Sequence, residues 1–181
     1  MNKLKPATLR TTEPTQEQLN SIKRQEIYII LDDVLDTYNV GAIFRLADAV
    51  GAAKVYLCGR TETPPNSRIK KASINTWQWT PWEYVSSAPE AIQKLKQQIQ
   101  NVQIVAVEQD QRSIPFTTFD YKLPIALVVG NETDGCSSET LSACDSIVEL
   151  PMFGINTSLN VMVSLGIVLY QTIENLPRLK P

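Results

Sequence analysis

Short apolar runs bounded by polar or turn-forming residues alternate along this chain with segments whose apolar positions recur every three to four residues. Residues 26–31 (EIYIIL) are rich in β-branched side chains, stop at Asp32-Asp33, and predict a buried strand. Similar runs at 53–58, 82–85, 103–107, 125–129 and 146–150 predict further strands. Between them, 40–50 sets Ile43, Ala47 and Val50 on one helical face and meets Gly51 as a stop. Segments 89–100, 138–143 and 159–174 also read as helices. The last is apolar almost all round, the pattern of a helix buried in a core or a subunit interface. Buried strands alternating with helices predict an α/β fold: a mainly parallel sheet with helices on both faces.

Ahead of this pattern, residues 1–25 are polar, carry Pro6 and Pro14, and hold one expected helix, 15–24, capped by Thr15. We expect an N-terminal arm over 1–25 and a single domain over 26–181, a length sufficient for one core. Lys3, Lys5 and Arg10 give the arm a small basic patch, and Arg68, Lys70 and Lys71 form another after the loop 59–67.

Composition removes several chemistries. Histidine is absent, which excludes Ser-His-Asp and Cys-His nucleophile systems and histidine-ligated zinc sites. Cys58, Cys136 and Cys144 have neither disulfide-framework nor CxxC spacing, so a reducing cytoplasm is expected and no metal is required. A formal charge of −2 gives no global attraction for a polyanion, so a nucleic acid has to be held by local basic patches. No apolar signal segment follows the first lysines, and the run 159–170 is interrupted by Asn160, Ser164 and Gly166, so no membrane span is expected.

In open parallel sheets, ligands sit beyond the carboxyl ends of strands. Polar clusters follow three predicted strand ends: Asn39 to Arg45, Gly130 to Gly135, and Met152 to Asn160. Gly130-Asn131-Glu132-Thr133-Asp134-Gly135-Cys136-Ser137 has Cys136 where a phosphate loop needs lysine, and no GxGxxG follows any strand. A nucleotide-using enzyme of those types is therefore disfavoured. From spacing alone, Arg45 serves either a ligand or an i,i+3 pair with Asp48, and Ser158 and Asn160 suit a helix cap. Trp77, Trp79 and Trp82 lie near the Arg68 to Lys71 patch, where they either stack bases or, as the simpler reading, pack in the core.

Taken in order, Asn39-Val40-Gly41-Ala42-Ile43-Phe44-Arg45, then Leu127 to Glu132 with Gly135, then Leu150-Pro151-Met152 with Gly154 and Ser158-Leu159-Asn160, closely resemble the three motifs of the SpoU/TrmH family of SPOUT methyltransferases. The resemblance implies transfer of a methyl group from S-adenosylmethionine to a ribose 2′-hydroxyl in RNA, a homodimer, and a deep C-terminal trefoil knot. It implies catalytic or substrate-orienting roles for Asn39, Arg45, Glu132, Ser158 and Asn160. Val107, Gly130, Leu150, Met152, Ser158 and Leu159 would line the cofactor pocket, and Arg45, Arg68, Lys70 and Lys71 would meet RNA. Where many relatives carry glycine, this chain has Asn75. It also lacks the large N-terminal RNA-binding domain of several ribosomal-RNA members, so tRNA is the expected target. Ribosomal RNA, or an inactive RNA-binding protein of the same fold, is the alternative.

Overall fold

A computed structural model describes residues 4–175. Its centre is a seven-stranded, all-parallel sheet in the order β3-β2-β1-β6-β4-β7-β5. The strands are β1 (Gln25–Asp32), β2 (Ala52–Cys58), β3 (Trp82–Val85), β4 (Gln103–Val107), β5 (Ile114–Pro115), β6 (Ile125–Val129) and β7 (Ser146–Glu149). β1, β6 and β4 are central and buried on both sides, which is why their sequences are continuously apolar rather than alternating.

Two cores result, one on each face of the sheet. Ile27, Ile29 and Leu31 point to one side, where α3 (Thr37–Val50), α4 (Ser67–Ser73) and α7 (Val161–Asn175) supply Ile43, Phe44, Ile69 and Leu165. Tyr28 and Ile30 point to the other, where α5 (Ala88–Gln98) supplies Ala91, Ile92 and Leu95 and α6 (Ser138–Ala143) adds Leu141. The two-residue period of a strand thus divides one apolar run between two layers.

The helix ends follow local chemistry. Asp36 caps α3, whose last turn closes on Gly51 at φ 64°, and Ser87 caps α5. In the arm, Thr15 and Gln18 form a reciprocal capping box, but α2 (Gln16–Asn20) stops short of the expected 15–24, and α1 (Pro6–Leu9) precedes it. The basic segment 68–71 lies within helix α4, which the apolar pattern did not predict because only Ile69 and Ser73 are buried there. Gly41 allows α4 to dock on α3, since a β-carbon there would stand 2.6 Å from the Ala72 β-carbon. The two-residue β5 was also too short to carry a period. The C-terminal end of the expected 26–181 span lies outside the described residues. No helix among the described residues is long and apolar enough to cross a membrane.

Candidate functional site

The carboxyl ends of β6, β4 and β7 open onto a hollow of about 500 Å³. Val107, Gly130, Leu150, Met152, Ser158 and Leu159 all line it, as do Glu132 and Asn160. Asn39 stands directly behind these residues in a hydrogen-bond chain. Glu132 accepts from the backbone N–H groups of Leu35 (3.1 Å) and Asp36 (3.0 Å) and from Asn39 Nδ2 (3.0 Å). Asn39 Oδ1 accepts from Asn160 Nδ2 at 3.0 Å, and Asn160 Oδ1 accepts from the Met162 and Val163 N–H groups, capping α7. The carboxylate at one end only accepts and the helix N–H groups at the other only donate, so both amide orientations are fixed. Three loops distant in sequence are locked together by this chain.

Burial pushes the Glu132 carboxyl up, but the Asn39 amide and the Leu35 and Asp36 N–H groups outweigh it and hold the group below its ordinary value. Glu132 is thus kept ionised, which suits orienting an amide and weakens it as a base.

The middle loop turns tightly around Asn131. Its side chain donates to the Asp33 carbonyl and accepts from the Thr133 and Asp134 N–H groups, while its backbone pairs with Gly135. Gly130 lies under this turn: a β-carbon there would stand 2.1 Å from the Cys136 nitrogen. Gly135 adopts φ 70° with the Glu108 carboxylate packed against it, so any side chain would be both strained and blocked. Gly154, by contrast, has open space where its side chain would be, so no close approach explains it.

Sequence reading missed Glu108 and Gln109, which follow β4 and also line the hollow. Glu108 Oε2 accepts from the Cys136 N–H at 3.0 Å, and Gln109 Nε2 donates to the Thr157 carbonyl at 2.5 Å. The pair ties the strand end to the 130–137 loop on one side and the 150–160 loop on the other. Neither residue is apolar or part of a recognisable motif, so only the spatial convergence of the loops exposes them. Gln109→Ala is expected to weaken binding of a ligand in this hollow by about three- to tenfold, the equivalent of one lost hydrogen bond. Calorimetry on wild type and variant would test this, and equal affinities would contradict it.

Arg45 is placed differently. It is exposed on α3, absent from the walls of its own chain's hollow, and makes no hydrogen bond or ion pair among the described residues. The alternative pair with Asp48 is not formed: Asp48 accepts from Trp79 Nε1 at 2.7 Å. Trp77 and Trp82 pack against the apolar core, so all three indoles are committed to packing or internal bonding rather than displayed for bases. Burial raises the thiol pKa of Cys58, Cys136 and Cys144, that of Cys144 to about 12, so none is a poised nucleophile.

Comparison with known proteins fits this geometry. The tRNA (guanosine(18)-2′-O)-methyltransferase of Aquifex aeolicus is 34% identical over 153 residues, covering 82% of this chain and 69% of that protein. A 23S rRNA (guanosine-2′-O-)-methyltransferase of Ralstonia nicotianae is 31% identical, covering 87% of this chain and 62% of that one. The chain thus spans roughly two thirds of the length of these relatives. Among solved structures, an AdoMet-bound rRNA methyltransferase from Sinorhizobium meliloti superposes with a TM-score of 0.77 at 29% identity, covering 94% of this chain and 61% of that one. Residues 26–170 match the family described as SpoU rRNA Methylase, a span that contains all of the sheet but its first residue, Gln25, and all three loops of the hollow, and the chain belongs to that family.

Proposed function

We propose that this protein is an S-adenosylmethionine-dependent RNA methyltransferase that modifies a ribose 2′-hydroxyl, acting as a cytoplasmic homodimer on tRNA. The observation that carries the reading is the Glu132–Asn39–Asn160 chain, which holds three loops around one glycine-floored hollow. The relatives' named activities on tRNA and rRNA, and the AdoMet-bound neighbour, support it. The knotted C-terminal half implied by the family resemblance is part of the same reading.

The hollow fits the cofactor. Its volume of about 500 Å³ lies in the range of small-molecule sites, and a β-carbon at Gly130 would collide with the loop backbone around it. Val107, Leu150, Met152 and Leu159 offer apolar walls for an adenine, while Gly130 and Ser158 bring backbone and hydroxyl groups. When bound, the cofactor supplies an electrophilic methyl group on a sulfonium sulfur.

What remains for the chain is to hold a 2′-oxygen in line and to receive its proton. Alignment supplies much of the rate in such transfers. Arg45 grips the RNA phosphate and ribose, and the proton passes to phosphate or another acceptor, because a guanidinium is a poor base; a deprotonated Arg45 acting as base is the alternative. Asn39 and Glu132 fix the loop geometry, and Ser158 and Asn160 shape the wall against the ribose.

The dimer completes the site in this reading. Val163, Ile167 and Tyr170 form one exposed apolar stripe on α7, opposite the buried Val161, Leu165 and Val168. Tyr38 and Arg45 are exposed on neighbouring α3. A second copy covering this surface brings its own Arg45 to the hollow that Arg45 does not line in its own chain.

Calorimetry with S-adenosylmethionine, followed by transfer of labelled methyl groups to bulk tRNA and to ribosomal RNA, tests the proposal. Cofactor binding and 2′-O-methyl nucleosides in digested tRNA are expected. Label only in ribosomal RNA would move the target, tight RNA binding without transfer would favour an inactive binder, and absence of cofactor binding would end the reading.

A further inference from the structure

Cations are distributed unevenly over this molecule. Lys54, Arg60, Lys94, Lys96, Arg112 and Lys122 each pair with a carboxylate. Lys5, Arg10, Arg68, Lys70 and Lys71 are exposed and pair with none among the described residues. Exposed Lys23 and Arg45 are unpaired as well; the five named come from two places far apart in sequence, the arm and α4.

Asn75 joins those places. Its side-chain Nδ2 donates to the Leu9 carbonyl at 2.8 Å, so Arg10 is anchored beside the end of α4, whose last turn carries Lys70 and Lys71. The junction is an unusual piece of backbone. Ile74 and Asn75 are both left-handed, at φ 52° and 65°, a costly conformation for a β-branched residue. Asn75 Oδ1 is also buried without a partner. Asparagine tolerates that backbone as glycine does, and unlike glycine it offers an amide to hold the arm. Ala72 of α4 packs on Gly41 of α3, one turn before Arg45, so the helix that carries these cations is docked directly on the helix that carries Arg45.

We propose that the docked arm and α4 form one composite cationic surface that binds the sugar-phosphate backbone of the RNA substrate, with Asn75 as its clasp. The proposal rests on the RNA methyltransferase reading and adds where the substrate is gripped outside the hollow. A group of unpaired cations brought to one junction on a chain of net charge −2 is a local feature that overall composition does not explain. Release of condensed counterions from a polyanion gives such a surface its binding energy and makes it salt-dependent. Lys70 and Lys71 also suit the carboxyl end of a helix, but that role leaves Lys5, Arg10 and Arg68 unaccounted for.

The test measures binding of fluorescently labelled bulk tRNA to the full chain over a series of salt concentrations. Arg10→Glu/Lys70→Glu/Lys71→Glu is expected to weaken binding at least tenfold at moderate salt. It should also reduce the slope of log affinity against log salt by about 2 to 3, the loss of three phosphate contacts. Lys122→Glu, before β6, where the cation is already paired with Asp120, should cost less than about twofold after the net-charge change is considered. Asn75→Gly keeps the backbone conformation and the charge, and a drop of about threefold or more is expected from release of the arm. Cofactor affinity by calorimetry should stay at the wild-type value in all four proteins, which separates this surface from the hollow. Wild-type affinity in the triple variant, equal losses in Lys122→Glu and the triple variant, or a preference for phosphatidylglycerol vesicles over tRNA would each overturn the proposal. If wild type binds cofactor and methylates RNA while the triple variant is unaffected, this surface fails alone; if wild type binds neither, the methyltransferase reading fails first.

Discussion

Replacement of Arg45 by alanine is expected to reduce methyl transfer by about 10²–10³-fold while leaving cofactor affinity within about twofold of wild type. The size follows from removing a fixed cation from the point where phosphate and ribose are aligned, a loss comparable to that of one preorganised donor at a reacting oxygen. The unchanged cofactor affinity follows from position, because Arg45 is exposed on α3 and is not a wall of its own chain's hollow. Lysine at this position should rescue only weakly, since it keeps the charge but not the planar fork. Mixing subunits decides which chain Arg45 serves. If it acts on the partner's hollow, an Arg45→Ala subunit paired with one whose hollow is disabled leaves one complete site per mixed dimer. Random reassortment should then restore about a quarter of wild-type activity. No recovery on mixing would assign Arg45 to its own chain, and full activity of Arg45→Ala alone would remove it from the mechanism.

The disabled hollow is the second large effect. Gly130→Ala puts a β-carbon 2.1 Å from the Cys136 nitrogen and 2.2 Å from the Gly135 carbonyl carbon. Both are backbone atoms, so no side-chain rotation relieves the clash and the turn itself has to move. Overpacking of this kind costs about 1–3 kcal/mol of stability. The displaced turn also carries Asn131 and Glu132, so the hollow loses its shape and the hydrogen-bond chain its anchor. Cofactor affinity is expected to fall by at least about 30-fold, more than the loss of one ordinary hydrogen bond would give. Calorimetry would read this, with circular dichroism confirming that the variant remains folded. A folded Gly130→Ala protein with wild-type cofactor affinity would show that the ligand lies elsewhere.

Much of this architecture was legible before any coordinates. The apolar runs at 103–107 and 125–129 coincide with β4 and β6, and 138–143 coincides with α6, because strand and helix periods are local properties of sequence. The six positions assigned to the cofactor pocket by resemblance all line one hollow, since strand carboxyl ends in a parallel sheet share one rim. Helix ends were less exact: α7 begins at Val161 rather than at 159, with Asn160 as its cap, α3 begins at Thr37 rather than at 40, and α2 ends at Asn20 rather than at 24.

What the pattern could not carry was the choice of partners. Nothing around Glu108 or Gln109 marks them as the tie between two loops 28 and 48 residues away, and nothing local decides that Asp48 bonds to Trp79 rather than to Arg45. α4 escaped notice because a helix that buries only Ile69 and Ser73 leaves almost no periodic trace. The docking of Leu9 on Asn75 joins residues 66 positions apart through a single amide. Burial imposes a repeating pattern on many adjacent residues and can therefore be read along the chain. A hydrogen bond between distant segments imposes no pattern on its neighbours, so only the folded arrangement determines which polar groups meet and which cations are left facing solvent.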